Sequence, residues 1–150
     1  MIRRVVEAEP AFWEHLACIH AASFDHGWPA DELRTMAAAA HNRLHVIEQD
    51  ETVFSFVLLT VVAVEGEILT VATAPDRRGK GHAAKLLAHV VGALGAEGTE
   101  AILLEVAVDN AAALALYDRV GFQAAGLRKA YYSRAAGPPV DACILRLALR

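Results

Sequence analysis

Ile2–Val6 is a short apolar-rich run that reads as a first strand. Pro10 then opens a helix to about Ala22, with Phe12, Leu16 and Ile19 at helical spacing and proline where the first N–H needs no partner. The stretch Ser23 to Trp28 breaks that pattern, and Pro29 and Asp31 start a second helix carrying Leu33, Met36 and Ala37. Leu44–Glu48 and Val53–Val64 read as strands on either side of the polar turn Gln49-Asp50-Glu51. Glu65-Gly66 looks like a tight turn from the second of these into a strand beginning at Glu67. After Gly81 a helix runs to about Glu97, with Gly98 as its stop. Ala101–Val108 is almost continuously apolar, as expected of a strand covered on both faces. Asp109 or Asn110 caps a helix over Ala111–Val120 that Gly121 ends. Phe122–Leu127 and Ala142–Leu149 close the chain as strands around the loop Tyr131–Val140. The order β-α-α-β-β-β-α-β-α-β-β predicts an α/β fold with a mixed sheet and helices on both faces.

Composition narrows the class. At 150 residues, 55% apolar and 21% charged, one folded domain over residues 1–150 is expected, without linker, repeat or low-complexity segment. A net charge of −4 argues against general nucleic-acid binding. The longest weakly charged run, Leu86 to Ala96, is far short of the ~20 residues of a membrane span, and the N-terminal ten residues do not resemble a signal peptide. Cys18 and Cys143 lack a metal-ligand spacing and read as reduced, buried thiols of a cytoplasmic protein.

The stretch from Glu67 to Leu87, EILTVATAPDRRGKGHAAKLL, concentrates the chemistry: a strand, a basic glycine-punctuated loop, then a helix start. Unpaired N–H groups and the helix dipole at such a junction favour an anion. Arg77, Arg78 and Lys80 beside them suggest more than one phosphate. The P-loop pattern GxxxxGK[ST] is absent, and Gly79-x-Gly81 lacks the third glycine of a dinucleotide fingerprint. Small residues at Gly79, Gly81, Ala83 and Ala84 would let a phosphate approach the backbone closely.

Arg78-x-x-Gly81-x-Ala83 resembles the [QR]-x-x-G-x-[GA] loop of the GNAT acetyltransferases, the family related to Gcn5. VATAP before it, HAAKLL after it and NAAALALYDRVGF further on extend the likeness, and the element order matches that fold along the whole chain. The resemblance implies acetyl-coenzyme A as cosubstrate, with no metal. It assigns the pyrophosphate to the amides of Gly79, Lys80, Gly81, His82, Ala83 and Ala84, with Arg78 and Lys80 offsetting its charge. Val71, Ala72 and Thr73 would pair through their backbones with the pantetheine arm. His82 stands where the family usually has an apolar residue, and a helix-surface histidine is the plainer reading. Asp76-Arg77 and His82-Ala83-Ala84 depart from the usual residues around this loop.

Acetylating an amine by direct attack needs a base for the amine proton and an acid for the leaving thiolate. Glu105 is a lone carboxylate in an apolar strand; burial there would raise its pKa, while a glutamate at an exposed sheet edge fits the residues equally well. Tyr117 lies about two helical turns beyond Asn110 and could equally be a core aromatic. The segment LLEVAVDNAAALALYDRVGF resembles the RimI branch of the family, bacterial enzymes that modify the N-terminal alanine of ribosomal protein S18. That resemblance implies Glu105 as general base, Tyr117 as general acid and Asn110 as a coenzyme A contact, Asn110 also serving as a helix cap. Trp28 in the segment after the first helix, and Tyr131 and Tyr132 in Arg128-Lys-Ala-Tyr-Tyr, match segments that border the peptide groove; packing aromatics are the alternative.

Basicity favours the same class of acceptor. A protein α-amine has a pKa of roughly 7.7–8.0 against roughly 10.4 for lysine, so far more of it is neutral near pH 7. Two other functions fit the residues: acetylation of a small amine, and a non-catalytic module that binds acyl-coenzyme A.

Overall fold

The structure, a computed structural model, describes residues 1–149. Its elements follow the expected order: β1 (Ile2–Val5), α1 (Pro10–Ala21), α2 (Ala30–Ala38), β2 (Asn42–Gln49), β3 (Thr52–Val62), β4 (Glu65–Thr73), α3 (His82–Ala96), β5 (Ala101–Ala107), α4 (Ala111–Val120), β6 (Gln123–Tyr132) and β7 (Val140–Ala148). The strands form one seven-stranded sheet in the order β1-β2-β3-β4-β5-β7-β6. Every pairing is antiparallel except β4 with β5, which the helix α3 connects.

Two apolar clusters hold the helices to opposite faces. Trp13, Leu16 and Ile19 of α1 and Leu33 and Ala37 of α2 pack with Leu44, Val46, Phe56, Leu58 and Ala72. On the other face Leu86, Leu87, Val90 and Leu94 of α3 and Tyr117 of α4 pack with Val57, Leu59, Ile68, Ile102, Leu104 and Val106. The central strand β3 is buried from Val53 to Leu59 because it serves both clusters, which explains its unbroken apolar run. Its one polar residue there, Ser55, donates from its hydroxyl to the Ala72 carbonyl at 2.9 Å.

Three expectations are corrected. The reversal between β3 and β4 falls on Ala63-Val64, not Glu65-Gly66: Glu65 and Gly66 already pair with Val62 and Val61. Ala63 takes the positive φ of 54° that a glycine was expected to supply, while Gly66 is buried beneath Leu94 and Ile102. The last hairpin is also longer than its apolar pattern, since β6 runs on to Tyr132. Only its last residue is other than exposed, so backbone pairing with β7 defines it and periodicity does not. Cys18 is exposed, not buried, and neither cysteine is in a disulfide. Among the described residues no helix is long and apolar enough to cross a membrane.

A bulge in β4 positions the site. Leu58 pairs with Thr70 and Leu59 with Ile68, so Leu69 is an extra residue. A bulge bends its strand and increases the local twist. It also changes which face follows: Ile68 packs toward α3, whereas Leu69 and Ala72 pack toward α1 and α2. Pairing of β4 with β5 stops at Ile68 with Leu104. Beyond that point the two parallel strands diverge. Leu69–Thr73 retains only β3 beside it and Glu105–Ala107 only β7, leaving two strand edges with unpaired backbone groups on either side of a gap.

Candidate active site

The gap opens into a cleft of about 470 Å³. Val71, Ala72 and Thr73 line it from β4, Gly79, Gly81, His82, Ala83 and Ala84 from the loop and first turn of α3, and Asn110, Ala113 and Tyr117 from α4 and its cap. Segments far apart in sequence therefore meet at one cavity, including nearly all the residues expected to hold a cosubstrate. Lys80 is the exception: it is exposed and does not line the cleft.

The loop is shaped for an anion. Pro75–Arg77 forms a single 3₁₀ turn, Gly79 and Gly81 follow at φ 74° and 82°, and α3 begins at His82. A Cβ added at either glycine would meet nothing within 4 Å, so the space above them is open. No side chain caps the N-terminus of α3, and its first N–H groups are left for a ligand. The contrast with α4 is direct, because there the Asn110 side-chain oxygen accepts from the Ala113 N–H at 3.2 Å. Replacing Asn110 by alanine is expected to cost about 1 kcal/mol of stability, and aspartate to retain most of it, as read by urea unfolding.

Cations surround the loop. The guanidinium of Arg77 lies over the Phe54 ring at 4.1 Å, and that ring also meets His82, centroid to centroid, at 4.9 Å. Partial burial, together with Arg77, Lys85 and Lys80, holds the His82 pKa below its usual value, so it is a neutral group near pH 7. Arg78 also lines the cleft, but its guanidinium is engaged by β4 and the end of α1. Its Nε donates to the Thr73 carbonyl at 3.2 Å, and its Nη2 donates to the Ala22 carbonyl and the Ser23 hydroxyl, each at 3.1 Å.

Tyr117 and Glu105 approach the gap from opposite faces. Tyr117 is buried in the α3–α4 cluster with its ring 5.7 Å from Phe122, and it lines the cleft. Burial, with a smaller contribution from Tyr132, pushes its hydroxyl well above the ordinary tyrosine range, so it stays protonated at neutral pH. Ile102, Leu104 and Val106 face α3 and α4, and alternation turns Glu105 to the other side. Full burial of Glu105 is not found: its side chain is 21% exposed and lies 3.3 Å from Nη1 of Arg128. The sheet-edge alternative holds locally: β5 is an interior strand, but Glu105 is the first of its residues to have no β4 partner.

The aromatic residues separate. Tyr132 donates its hydroxyl to the Glu105 carbonyl at 2.9 Å; burial, Glu105 and Tyr131 raise its pKa. Tyr131 is exposed and carries the Arg128 guanidinium 4.7 Å above its ring. Trp28 is half-buried and stacks on His20 at 4.7 Å, outside the cleft lining.

Sequence reasoning overlooked the lining residues Ser23 and Phe24, and Ala112, Ala115, Leu116 and Arg119 of α4. The small residues Ala112 and Ala115, three apart and so on one face of α4, were the available signal, since small side chains there permit close approach.

Known proteins resemble this chain along most of its length. The model of the Acetyltransferase (GNAT) family matches residues 13–122. A [ribosomal protein bS18]-alanine N-acetyltransferase from Salmonella typhimurium is 32% identical over 123 residues, covering 81% of this chain and 82% of that protein. One of the same description from Haemophilus ducreyi is 31% identical over 149 residues, covering 99% of this chain and 100% of that protein. The crystal structure of the ribosomal-protein-S18-alanine N-acetyltransferase from Escherichia coli superposes with a TM-score of 0.86 at 26% identity, covering 99% of this chain and 94% of that chain. With its bulged β4, glycine loop and α3 inside the matched segment, the chain belongs to the GNAT acetyltransferase family and is an N-acetyltransferase.

Proposed function

We propose that this enzyme transfers the acetyl group of acetyl-coenzyme A to a protein N-terminus, with the terminal alanine of ribosomal protein S18 as its acceptor. The observation that carries the reading is the meeting, at the break between β4 and β5, of an uncapped helix N-terminus, a free strand edge and Tyr117 in one cleft, with Glu105 on the facing strand. The relatives' names supply the acceptor. On this reading the enzyme works in the cytoplasm, where ribosomal proteins are made.

The fit to the cosubstrate rests on open space over Gly79 and Gly81 and on the unclaimed amides of α3. Those amides would receive the pyrophosphate, the backbone of Val71–Thr73 the pantetheine arm, and Asn110 and the small face of α4 the far wall. The cosubstrate supplies an activated acetyl thioester. Glu105 takes a proton from the attacking amine, directly or through water, as the N–C bond forms. Tyr117 gives its proton to the sulfur as the C–S bond breaks, and its raised pKa keeps that proton in place until then. Tyr132 fixes the backbone that carries Glu105. An α-amine suits this arrangement, because a carboxylate need only remove a proton from a nucleophile that is already partly neutral.

A mass-shift assay with acetyl-coenzyme A tests the reading. Peptides with the S18 N-terminus beginning with alanine are expected to gain one acetyl group at the α-amine, and peptides beginning with serine or methionine less. Turnover of free polyamines or internal lysines alone would assign a different acceptor. Binding of coenzyme A without any transfer would leave a non-catalytic module.

A further inference from the structure

We propose that Arg78 is a positioning residue: it latches the cosubstrate loop to the segment Ala22–Trp28, so that the seat of the donor sets the wall that faces the acceptor. This rests on the acetyl-coenzyme A reading of the loop. Arg78 stems from the loop, yet its guanidinium spans to the end of α1. It holds the Thr73 carbonyl at the tip of β4 and, with Nη2, both the Ala22 carbonyl and the Ser23 hydroxyl. Ala22 is the C-terminal cap of α1, where the unpaired carbonyls and the negative end of the helix dipole favour a cation.

The same segment is fastened twice more. The Asp25 carboxylate accepts from the Ala135 N–H at 3.1 Å, which ties the segment to the loop between β6 and β7. The Trp28 N–H donates to Nδ1 of His20 at 3.0 Å. Since Nδ1 accepts, the ring proton sits on Nε2, which donates to Thr70 Oγ1 at 3.1 Å. Thr70 directly follows the bulge of β4. Arg78 and His20 thus both anchor the Ala22–Trp28 segment to the part of β4 and its loop that receives the donor. Ser23 and Phe24 of that segment line the cleft itself. Glu105 faces the side of the sheet that α1 and α2 cover, so this segment borders the acceptor's approach, and Arg78 ties its seat to that of the donor loop.

The test compares wild type with Arg78→Met, which keeps the aliphatic stem, and Arg78→Lys, which keeps the charge without the fork. Hydrogen–deuterium exchange is read on the free enzyme, coenzyme A affinity by calorimetry, and acceptor KM with an alanine-initiated S18 peptide. In Arg78→Met, exchange across residues 22–28 is expected to accelerate about tenfold, in keeping with the loss of charge-assisted hydrogen bonds, while α3 is unchanged. The acceptor KM should rise by about tenfold with coenzyme A affinity within about threefold of wild type, and Arg78→Lys should fall between. Weakening of coenzyme A by about tenfold or more, with exchange and acceptor KM unmoved, would make Arg78 a phosphate ligand and overturn the proposal. No change in any readout would overturn it as well. Should the wild type neither bind coenzyme A nor acetylate the peptide, the functional reading fails, and the exchange measurement on the free enzyme still decides the latch.

Discussion

Replacing Glu105 by glutamine is expected to lower kcat by about 10²- to 10⁴-fold, the usual contribution of a general base. Glutamine has the same shape, and its side-chain oxygen can still accept from Arg128, which lies 3.3 Å from the native carboxylate. It cannot take up the amine proton. The backbone of β5 has no reason to move, because its pairing with β7 and the Tyr132 bond to the Glu105 carbonyl do not involve the side chain. Coenzyme A binding is the control, since Glu105 lies outside the lining of the cleft. Tyr117→Phe should give a kcat loss of similar order, with the ring retained against Phe122 and only the proton donor removed. Both variants are read by peptide mass shift under saturating substrates. A Glu105→Gln enzyme within about threefold of wild type would mean that another group or solvent accepts the proton.

The second large effect is on stability in acid. Burial lowers the pKa of His20 from 6.5 to about 4. Burial, then Arg4, His89 and Arg43 lower that of His45 from 6.5 to about 4 against an opposing contribution from Glu97. Between those values the unfolded chain binds protons that the folded chain refuses, so stability is whole above the unfolded pKa and declines as pH falls toward 4. Each histidine accounts for on the order of 3 kcal/mol across that window. The refusal has visible causes. Protonating His20 at Nδ1 breaks the bond from the Trp28 N–H, within a ring stack of Phe24, Trp28 and Phe56. His45 buries an Nδ1 that has no hydrogen-bond partner among the described residues. Urea unfolding at pH 7, 5.5 and 4.5 should show midpoints that fall steadily. His45→Leu, which replaces an unpartnered nitrogen by apolar volume, should remove about half of the decline. An unchanged decline in that variant would assign the acid sensitivity to other groups.

Most of the fold was legible because its elements are amphipathic or fully buried. The helices of α1 and α3 show their buried faces at helical spacing, and β3 and β5 show theirs as apolar runs. The glycine loop and the start of α3 were legible for a different reason: a glycine loop before a helix leaves a local signature, and its residues are neighbours in sequence. What sequence could not show was how distant segments meet. Arg78 reads as a phosphate ligand on charge alone, yet Ala22 and Ser23 claim part of its guanidinium. Sequence left burial and an exposed edge equally open for Glu105, and the structure lies between them because β4 departs from β5 just before it. The β6 strand was cut short because an exposed edge has no apolar alternation to detect, and Ala130 at φ 49°, with its N–H on the Asp141 carboxylate, interrupts it further.

The bulge at Leu69 has a consequence for how the enzyme tolerates change. Beside it β4 parts from β5 without either strand breaking, which leaves a lane in the sheet whose sides are main chain. Whatever occupies that lane is met by amides and carbonyls that every amino acid except proline supplies. Side-chain drift along Leu69–Thr73 can therefore reshape the lane while its hydrogen-bonding capacity persists. On the proposed reading, donor recognition is therefore expected to be robust to mutation here, and acceptor preference, which depends on side chains and loops, is the part left free to diverge.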